Sequence, residues 1–287
     1  MICWRSVMAV GPGLAGAAIA ALPPAALANA PIVPPLVELT SGNSLYRADL
    51  LRFSEQQAWR VDGVDTLFSD LYFLNLGNTP ARRELRLEDL QPVAFSQPAS
   101  DRFVATFSAF GANLNLSLNS VLLGQPVGSY RASRRDTLTL TNTGGDWLDL
   151  SLFKYIDYDL QFDGIVNNDT AFFAGNTLFQ TDPSGALATL TTTQTPTAAQ
   201  VSPYGSLLAQ LYTAPATALQ NSPGPLVNDD ATAALQFDRR LAPGESAVFE
   251  FVMTVQRQVK TKAVPEPGTA FAVGVVAAGL ALLRRRG

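Results

Sequence analysis

The 287-residue chain contains no histidine and only one cysteine. Without histidine there is no serine–histidine or cysteine–histidine nucleophile, no histidine-ligated zinc site and no imidazole to transfer protons near neutral pH. Charge is sparse as well, because 15% of the residues are charged and the formal net charge is −4. An acidic chain lacks the basic face that binds phosphates, so the sequence predicts no nucleic-acid partner.

The first 28 residues carry the three parts of a secretory signal peptide. Arg5 supplies the basic residue, residues 7–22 are apolar or small, and Ala26-Leu27-Ala28 forms a small-residue cleavage site. We expect signal peptidase to remove residues 1–28 by cutting after Ala28. The single cysteine lies inside the removed segment, so the expected mature protein cannot form disulfides.

The last 24 residues, 264–287, combine a short motif, an apolar stretch and a basic end. Pro265, Glu266 and Pro267 precede uncharged residues 269–283, and three arginines follow them. As a helix, this stretch is about 22 Å long at about 1.5 Å per residue, and the arginines extend its reach in a bilayer core of about 30 Å. The sequence therefore predicts a transmembrane helix at 269–283 with its basic end in the cytoplasm.

This order of Pro-Glu-Pro motif, apolar helix and arginine cluster resembles the PEP-CTERM sorting signal of Gram-negative bacteria. The resemblance implies that an exosortase recognises Pro265, Glu266 and Pro267 and then removes the tail. It also implies a setting of exopolysaccharide and biofilm formation. The expected location is the inner membrane at first, and the cell surface or extracellular space after processing.

Residues 29–263 have the pattern of an all-β domain. Asn113–Asn119 alternates polar and apolar residues, as in a strand with one wet face. Asp136–Thr141 and Asp146–Phe153 flank a Gly-Gly turn and are expected to form a hairpin. Scarce helix signals leave one short helix, expected within Tyr204–Tyr212.

Short strands that recur about every ten residues predict an antiparallel β-sandwich, immunoglobulin-like or jelly-roll-like. The similarity to immunoglobulin-like modules of bacterial surface proteins is an analogy of fold only. One domain is favoured because no polar linker divides the body, although a split near Gln125 stays open.

Acidic residues are concentrated in the second half of the body. Asp136–Asp238 contains eleven acidic residues, opposed only by Lys154. Asp157, Asp159 and Asp163 would share one face of an extended strand, where their mutual repulsion is relieved either by water or by a cation. Calcium is the natural cation for such oxygen ligands and is the one cofactor the sequence suggests; a solvated strand face is the simpler interpretation.

The same aspartates leave carboxylate catalysis open, because glycoside hydrolysis needs only two acids at a set distance. Trp59, Trp147, Tyr155 and Tyr158 could stack on sugar rings, but burial in the core is the favoured interpretation for such aromatic residues.

The sequence as a whole predicts a non-catalytic surface or extracellular-matrix protein associated with exopolysaccharide, and not an enzyme. A carbohydrate-binding or calcium-binding adhesion module is the alternative. A polysaccharide-modifying enzyme that uses Asp157, Asp159 or Asp163 is the third hypothesis.

Overall fold

Strands in three antiparallel sheets, with one helix, form the part of the chain that the computed structural model describes. The described residues are 36–52, 57–77, 83–109, 113–165, 167–213 and 215–257. The expected signal peptide, the Pro-Glu-Pro motif and the expected transmembrane helix all lie outside these ranges. Within these ranges, no helix has the length and apolar character needed to cross a bilayer.

The strands are numbered in chain order and described sheet by sheet. The four-stranded sheet has the order β1 (Leu36–Ser41), β2 (Ser44–Asp49), β3 (Gln57–Val61) and β4 (Val64–Asp65). The nine-stranded sheet runs β16 (Leu226–Asp229), β12 (Asp169–Ala174), β13 (Thr177–Thr181), β14 (Ala186–Thr192), β18 (Ser246–Arg257), β10 (Arg131–Asn142), β9 (Leu114–Gly124), β8 (Arg102–Ala109) and β7 (Gln91–Ala99). The five-stranded sheet runs β15 (Ala198–Pro203), β17 (Ala231–Leu241), β11 (Leu148–Asp157), β5 (Ser69–Leu76) and β6 (Leu85–Arg86). Helix α1 spans Ser206–Tyr212.

The two larger sheets pack face to face through their apolar inner faces. Phe237 of β17 meets Phe249 and Phe251 of β18, with ring centroids 5.3 and 5.8 Å apart. Successive residues of a strand point to opposite faces. Those of β11 therefore divide into even-numbered residues that face this core and odd-numbered residues on the outer face. Phe73, paired with Phe153, contacts Tyr212 of α1 at 5.5 Å, which shows that the helix covers the middle of the outer face.

Four charged side chains are buried between the sheets and form a network. Asp70 and Lys154 come from the five-stranded sheet, and Arg134 and Asp136 come from β10 of the nine-stranded sheet. Asp70 pairs with both cations, and Arg134 bonds Asp136 at 2.9 Å. Each of the four side chains is at most 3% exposed. Two positive and two negative groups balance, so no net charge is left in the core. We call these four residues the buried ion network.

The prediction of an antiparallel all-β fold with one short helix is confirmed. The alternation predicted for a strand with one solvent-exposed face is present in β9, where Leu114, Leu116 and Leu118 are buried. Helix α1 lies within the expected range and buries Leu207 and Leu211.

The predicted hairpin across residues 142–145 is wrong, although both strands exist. β10 pairs with β9 and β18, whereas β11 pairs with β5 and β17, so the turn carries the chain from one sheet to the other. Asn142 holds this crossing, because its Nδ2 donates to the carbonyls of Asp146 at 2.7 Å and Leu241 at 3.1 Å. Gly144 is required for its size, since a Cβ there would lie 2.8 Å from Asn113.

Candidate functional site

Several acidic and aromatic side chains gather at one end of the five-stranded sheet. The register places Asp157, the last residue of β11, opposite Ser69 at the start of β5 and Thr232 near the start of β17. On the next strand, Pro203 closes β15 beside Ala231. Loops therefore leave or enter four strands at this end, as is usual for sites built on a rigid sheet.

Three aspartates converge there and form what we call the acidic cluster: Asp157, Asp159 and Asp230. One carboxylate oxygen of each lies within 4.8 Å of the corresponding oxygens of the other two. Asp157 is buried, and Asp159 and Asp230 are partly exposed. The cluster therefore extends from the protein interior to the surface. An acidic group is present, as the sequence suggested, with a different third member.

Asp157 occupies the deepest position of the cluster and is 1% exposed. Its Oδ2 accepts a hydrogen bond from the hydroxyl of Tyr155 at 3.2 Å. Its Oδ1 is buried and has no hydrogen-bond partner within the described part of the chain. Burial raises the pKa of Asp157 to about 8, and the charges of Asp230 and Asp159 add to this effect. This carboxyl group is therefore mainly protonated at neutral pH.

Asp159 lies beyond the end of β11, where its N–H donates to the carbonyl of Thr66 at 3.2 Å. Burial and the neighbouring charges of Asp230 and Asp65 raise its pKa to about 6. Asp159 is therefore mainly ionised at neutral pH. Burial and the charge of Asp229 also raise the pKa of Asp230.

A fourth carboxyl group, which is itself buried, lies close enough to interact with the cluster. Asp169, at the start of β12, accepts a hydrogen bond from Nε2 of Gln180 at 2.5 Å and is 1% exposed. Burial raises its pKa to about 7, and Asp182, Asp230 and Asp159 contribute repulsion. Asp169 therefore adds to the carboxyl groups that repel one another at this end of the sheet.

Two exposed aromatic rings adjoin the acidic cluster. Phe68 and Tyr204 are 52% and 50% exposed, and their rings meet edge to face with centroids 5.6 Å apart. The N–H of Phe68 donates to the carbonyl of Asp157 at 3.0 Å, and the N–H of Tyr204 donates to the carbonyl of Asp230 at 2.8 Å. Backbone bonds therefore fix both rings beside the carboxylates. We call them the aromatic pair.

The structure separates Asp163 from the other two aspartates singled out in the sequence. The expected extended strand ends at Asp157, and Asp163 lies in an exposed turn. There it accepts hydrogen bonds from the N–H of Ile165 at 2.9 Å and from Asn168 at 3.0 Å. These bonds to an exposed carboxylate lower the pKa of Asp163.

Sequence reasoning missed Asp230 and the aromatic pair. Asp230 falls in a Pro- and Gly-rich stretch that reads as a surface loop, and only strand pairing brings it near Asp157. A usable signal was the Asp-Asp pair at 229–230, directly before the apolar strand β17.

The four aromatic residues considered for sugar stacking divide into two groups. Trp59, Tyr155 and Tyr158 are at most 1% exposed, and the indole N–H of Trp59 donates to Ser44 Oγ at 2.9 Å. The core interpretation is confirmed for these three. It is wrong for Trp147, whose side chain is 59% exposed in the crossing between sheets.

The acidic cluster places two carboxyl groups close enough to contact the same small ligand. One oxygen of Asp157 and one of Asp159 lie within 4.8 Å of each other, so neighbouring oxygens of one ligand can bond to both groups. A protonated Asp157 and an ionised Asp159 provide an acid and a base whose pKa values their surroundings have moved apart.

The fold resembles those of several solved structures. A bacterial glucoamylase complexed with acarbose has a similar structure with a TM-score of 0.55 at 6% identity, and the match covers 77% of this chain and 32% of that one. The Slr1438 protein from Synechocystis sp. PCC 6803 gives a TM-score of 0.50 at 12% identity over 80% of this chain and 99% of that one. A galactose mutarotase related enzyme from Lactobacillus acidophilus gives 0.50 at 6% identity over 78% and 100%.

No protein-family model matches the chain, and no curated protein matches it in sequence. The chain spans about a third of the glucoamylase, and the three identities are too low to define more than the fold.

These structures nevertheless correct the prediction of a non-catalytic surface or matrix protein. Two of the three are named as enzymes of carbohydrate chemistry, so the fold gives no ground for excluding catalysis. The absence of histidine misled the sequence argument, because buried aspartates can supply both the acid and the base that imidazole commonly provides.

Proposed function

We propose that this protein is a carbohydrate-processing enzyme that transfers protons at the anomeric centre of a sugar through Asp157 and Asp159. The observation that supports this proposal is the buried Asp157 Oδ1, which has no hydrogen-bond partner among the described residues and lies in a cluster with a second carboxylate within 4.8 Å. A buried polar atom without a partner is costly, and a substrate hydroxyl or ring oxygen would satisfy it.

Each carboxyl has a separate role in this proposal. Asp157, protonated at neutral pH, donates to the departing or ring oxygen. Asp159, ionised at the same pH, accepts the proton of the anomeric hydroxyl or of an attacking water. Asp230 is a positioning residue, because its charge raises the pKa of both.

The aromatic pair gives the site affinity for a sugar. A pyranose presents C–H groups on its faces and hydroxyls at its edge. Phe68 and Tyr204 would pack against the C–H face, while the carboxylates bond the hydroxyls. Apolar rings beside convergent polar groups are the usual composition of a small-molecule site.

The test compares three single variants, D157N, D159N and D163N. Interconversion of freshly dissolved α-D-glucose and α-D-galactose is followed by polarimetry, and reducing ends released from polysaccharides are assayed in parallel. We expect D157N and D159N each to lower the rate of whichever reaction the wild type catalyses by about 100-fold or more, which is the usual effect of losing a general acid or base.

D163N is the matched control, because it removes an exposed aspartate outside the acidic cluster. The proposal is wrong if the wild type catalyses neither reaction, or if D163N loses as much activity as D157N. Thermal unfolding of all variants must show that each one is folded.

A calcium ion bound by the same three carboxylates is the second candidate role for this site. In the part of the chain that the structure describes, Asp157 Oδ1 and Asp230 Oδ1 are both buried without hydrogen-bond partners, and calcium accepts oxygen ligands in loose geometry. A bound cation would also hold all three carboxylates ionised.

Calcium titration separates the two roles. At pH 8, calcium binding to the acidic cluster raises the unfolding temperature of the wild type and leaves that of D230N unchanged. An acid–base site without a metal shows no calcium-dependent shift in either protein.

We infer from the two chain ends that this enzyme works outside the cytoplasmic membrane, with exopolysaccharide as the substrate in its surroundings. The support is the signal-peptide pattern and the PEP-CTERM-like tail, with signal peptidase and an exosortase as processing partners. Mass spectrometry of secreted protein should find a chain that lacks residues 270–287. An intact C-terminus on the secreted protein would contradict this inference.

A further inference from the structure

A second surface with the chemistry of a carbohydrate site lies at the opposite end of the five-stranded sheet. Asp149 near the start of β11 and Asp157 at its end are about 26 Å apart, at about 3.3 Å per residue. Both have odd numbers on the same strand, so both side chains lie on the outer face. Helix α1 covers the sheet between them. The surface around Asp149 is therefore separate from the acidic cluster.

An open groove of about 500 Å³ marks this second surface. Its lining is mostly polar and comprises Asp149, Leu150, Ser151, Gln236, Asp238, Arg239 and Arg240. A volume in this range suits a small-molecule ligand or a short section of a polymer. Carboxylate, amide and guanidinium groups together offer both donors and acceptors, as the hydroxyls of a sugar require.

Trp147 stands at the edge of this groove. Arg240, which lines the groove, places its guanidinium 5.2 Å from the centroid of the Trp147 ring. Arg240 also approaches Asp149, with Nε 3.7 Å from Oδ1. The cation supports the indole from one side. More than half of the indole remains open to solvent.

The crossing between the sheets fixes the position of Trp147. Asn142, which is 1% exposed, donates to the carbonyl of Asp146, the residue directly before Trp147. Its Oδ1 also accepts the N–H of Gly144 at 2.9 Å. These bonds order the backbone that carries Trp147, so binding a ligand does not have to order this segment.

Acidic and basic side chains are equal in number in the groove, and this balance affects which kind of glycan it can bind. Arg240 pairs with Asp149, and Arg239 donates to Gln194 at 2.9 Å and to the backbone of Asp238. Asp238 accepts hydrogen bonds from Ser151 at 2.6 Å and Gln236 at 2.9 Å. Two aspartates and two arginines line the groove and give it no net formal charge. Such a groove has no excess positive charge to attract a uronic acid, so a neutral glycan is the better match.

We propose that Trp147 and this groove bind a neutral polysaccharide chain at a distance from the catalytic site. The indole would stack on the C–H face of a pyranose, and Asp149 and Arg240 would bond its hydroxyls. The site anchors a polymer on the same face of the sheet as the acidic cluster but at the opposite end, and its existence does not require that the cluster is catalytic.

Affinity gel electrophoresis tests this proposal with starch, xylan, laminarin and dextran as neutral glycans and alginate as the acidic one. The wild type should be retarded by at least one neutral glycan and not by alginate. W147A should raise the dissociation constant about fivefold or more, and W147F should recover part of the affinity. V127A is the matched control, since it truncates an apolar residue that is 84% exposed elsewhere, and it should bind as the wild type does.

D157N keeps this retardation if the two sites are independent, so failure of the proposed catalysis and failure of this surface are separate results. Retardation by alginate alone, or equal retardation of W147A and the wild type, overturns the proposal. So does the absence of retardation by every neutral glycan. Because Trp147 is exposed, W147A should melt close to the wild type, and this measurement identifies any misfolded sample.

Discussion

The ring of Tyr204 meets the ring of Phe68 edge to face, with centroids 5.6 Å apart and planes inclined by 86°. The two residues come from different strand ends and are tied by their backbones to two of the three aspartates in the acidic cluster. Exposed aromatic rings beside a cluster of carboxylates are expected to contact a ligand.

Removing either ring should weaken sugar binding more than it slows chemistry. Aromatic contacts contribute about 0.5–1.5 kcal/mol each, so F68A and Y204A should each raise KM about two- to tenfold with a smaller change in kcat. Steady-state kinetics on the active sugar measures both constants. V248A, which truncates another exposed apolar residue, is the control and should leave KM unchanged. A fall in kcat with unchanged KM would place the rings outside the binding site.

The pH dependence of activity should be bell-shaped, with limbs near pH 6 and pH 8. Activity requires an ionised Asp159, whose pKa is about 6, and a protonated Asp157, whose pKa is about 8. Asp230 raises both values, so D230N should move both limbs toward lower pH by about half a unit or more. Initial rates between pH 4 and pH 10 measure the shift. D163N should keep both limbs in place, and a D230N profile identical to the wild type would contradict the assigned roles.

Asp157 should also make the folded protein less stable as the pH rises. Its pKa is about 8 in the folded state against an ordinary value of 3.8. Between these values the folded state holds a proton that the unfolded state has lost, so the free energy of unfolding falls with increasing pH. D157N cannot ionise and lacks this penalty.

Thermal unfolding at pH 5, 7 and 9 measures this effect. Relative to the wild type, the free energy of unfolding of D157N should increase as the pH rises. At pH 9 it should exceed that of the wild type by about 1 kcal/mol or more, which corresponds to an unfolding temperature about 2–4 °C higher. D163N removes an exposed carboxyl whose pKa is lowered, so it should not gain stability at high pH. Parallel pH curves for D157N and the wild type would show that Asp157 ionises normally in the folded protein.

The fold could be predicted from the sequence to the level of strands, but not to the level of sheets. Period-two alternation in β9 reports a local property, since each residue either faces water or does not. The strands β10 and β11 were also found, yet their pairing depends on partners about a hundred residues away in β17 and β18. Composition alone is misleading at residues 189–200, which are rich in Thr and Ala as surface loops are, although β14 and β15 occupy both ends of this range.

Two of the three residues of the acidic cluster could be named from the sequence, and the third depends on strand pairing. Asp157 and Asp159 are neighbours in the chain, so sequence spacing brings them together. Asp230 joins them only because β11 and β17 pair, and the sequence spacing between Asp159 and Asp230 gives no sign of this contact. Burial of Asp157 depends on the surrounding loops, and this burial turns an ordinary carboxylate into a proton donor. The Gly-Gly-Asp turn before Trp147 is a local sign of its exposure, but the crossing between sheets at Asn142 depends on strand pairing.

The buried ion network of Asp70, Arg134, Asp136 and Lys154 gives a last prediction, about stability. Burial lowers the pKa of Lys154, and Asp136 opposes this shift. K154M removes one cation and leaves an unbalanced negative charge between the sheets, which should cost about 3–5 kcal/mol. K154M/D70N restores the charge balance and should recover a large part of this loss.

Urea unfolding of K154M, D70N and the double variant measures their coupling. The control is R47M, which breaks the exposed pair of Arg47 with Glu38 and should cost less than about 1 kcal/mol. If the double variant loses as much as the sum of the single variants, the two residues act independently and the network is not the unit that joins the sheets. Recovery in the double variant would instead show that charge balance, and not any single ion pair, determines the stability of this core. Arg134 and Asp136, which are 2.9 Å apart in the wild type, would then be a balanced pair without the other two.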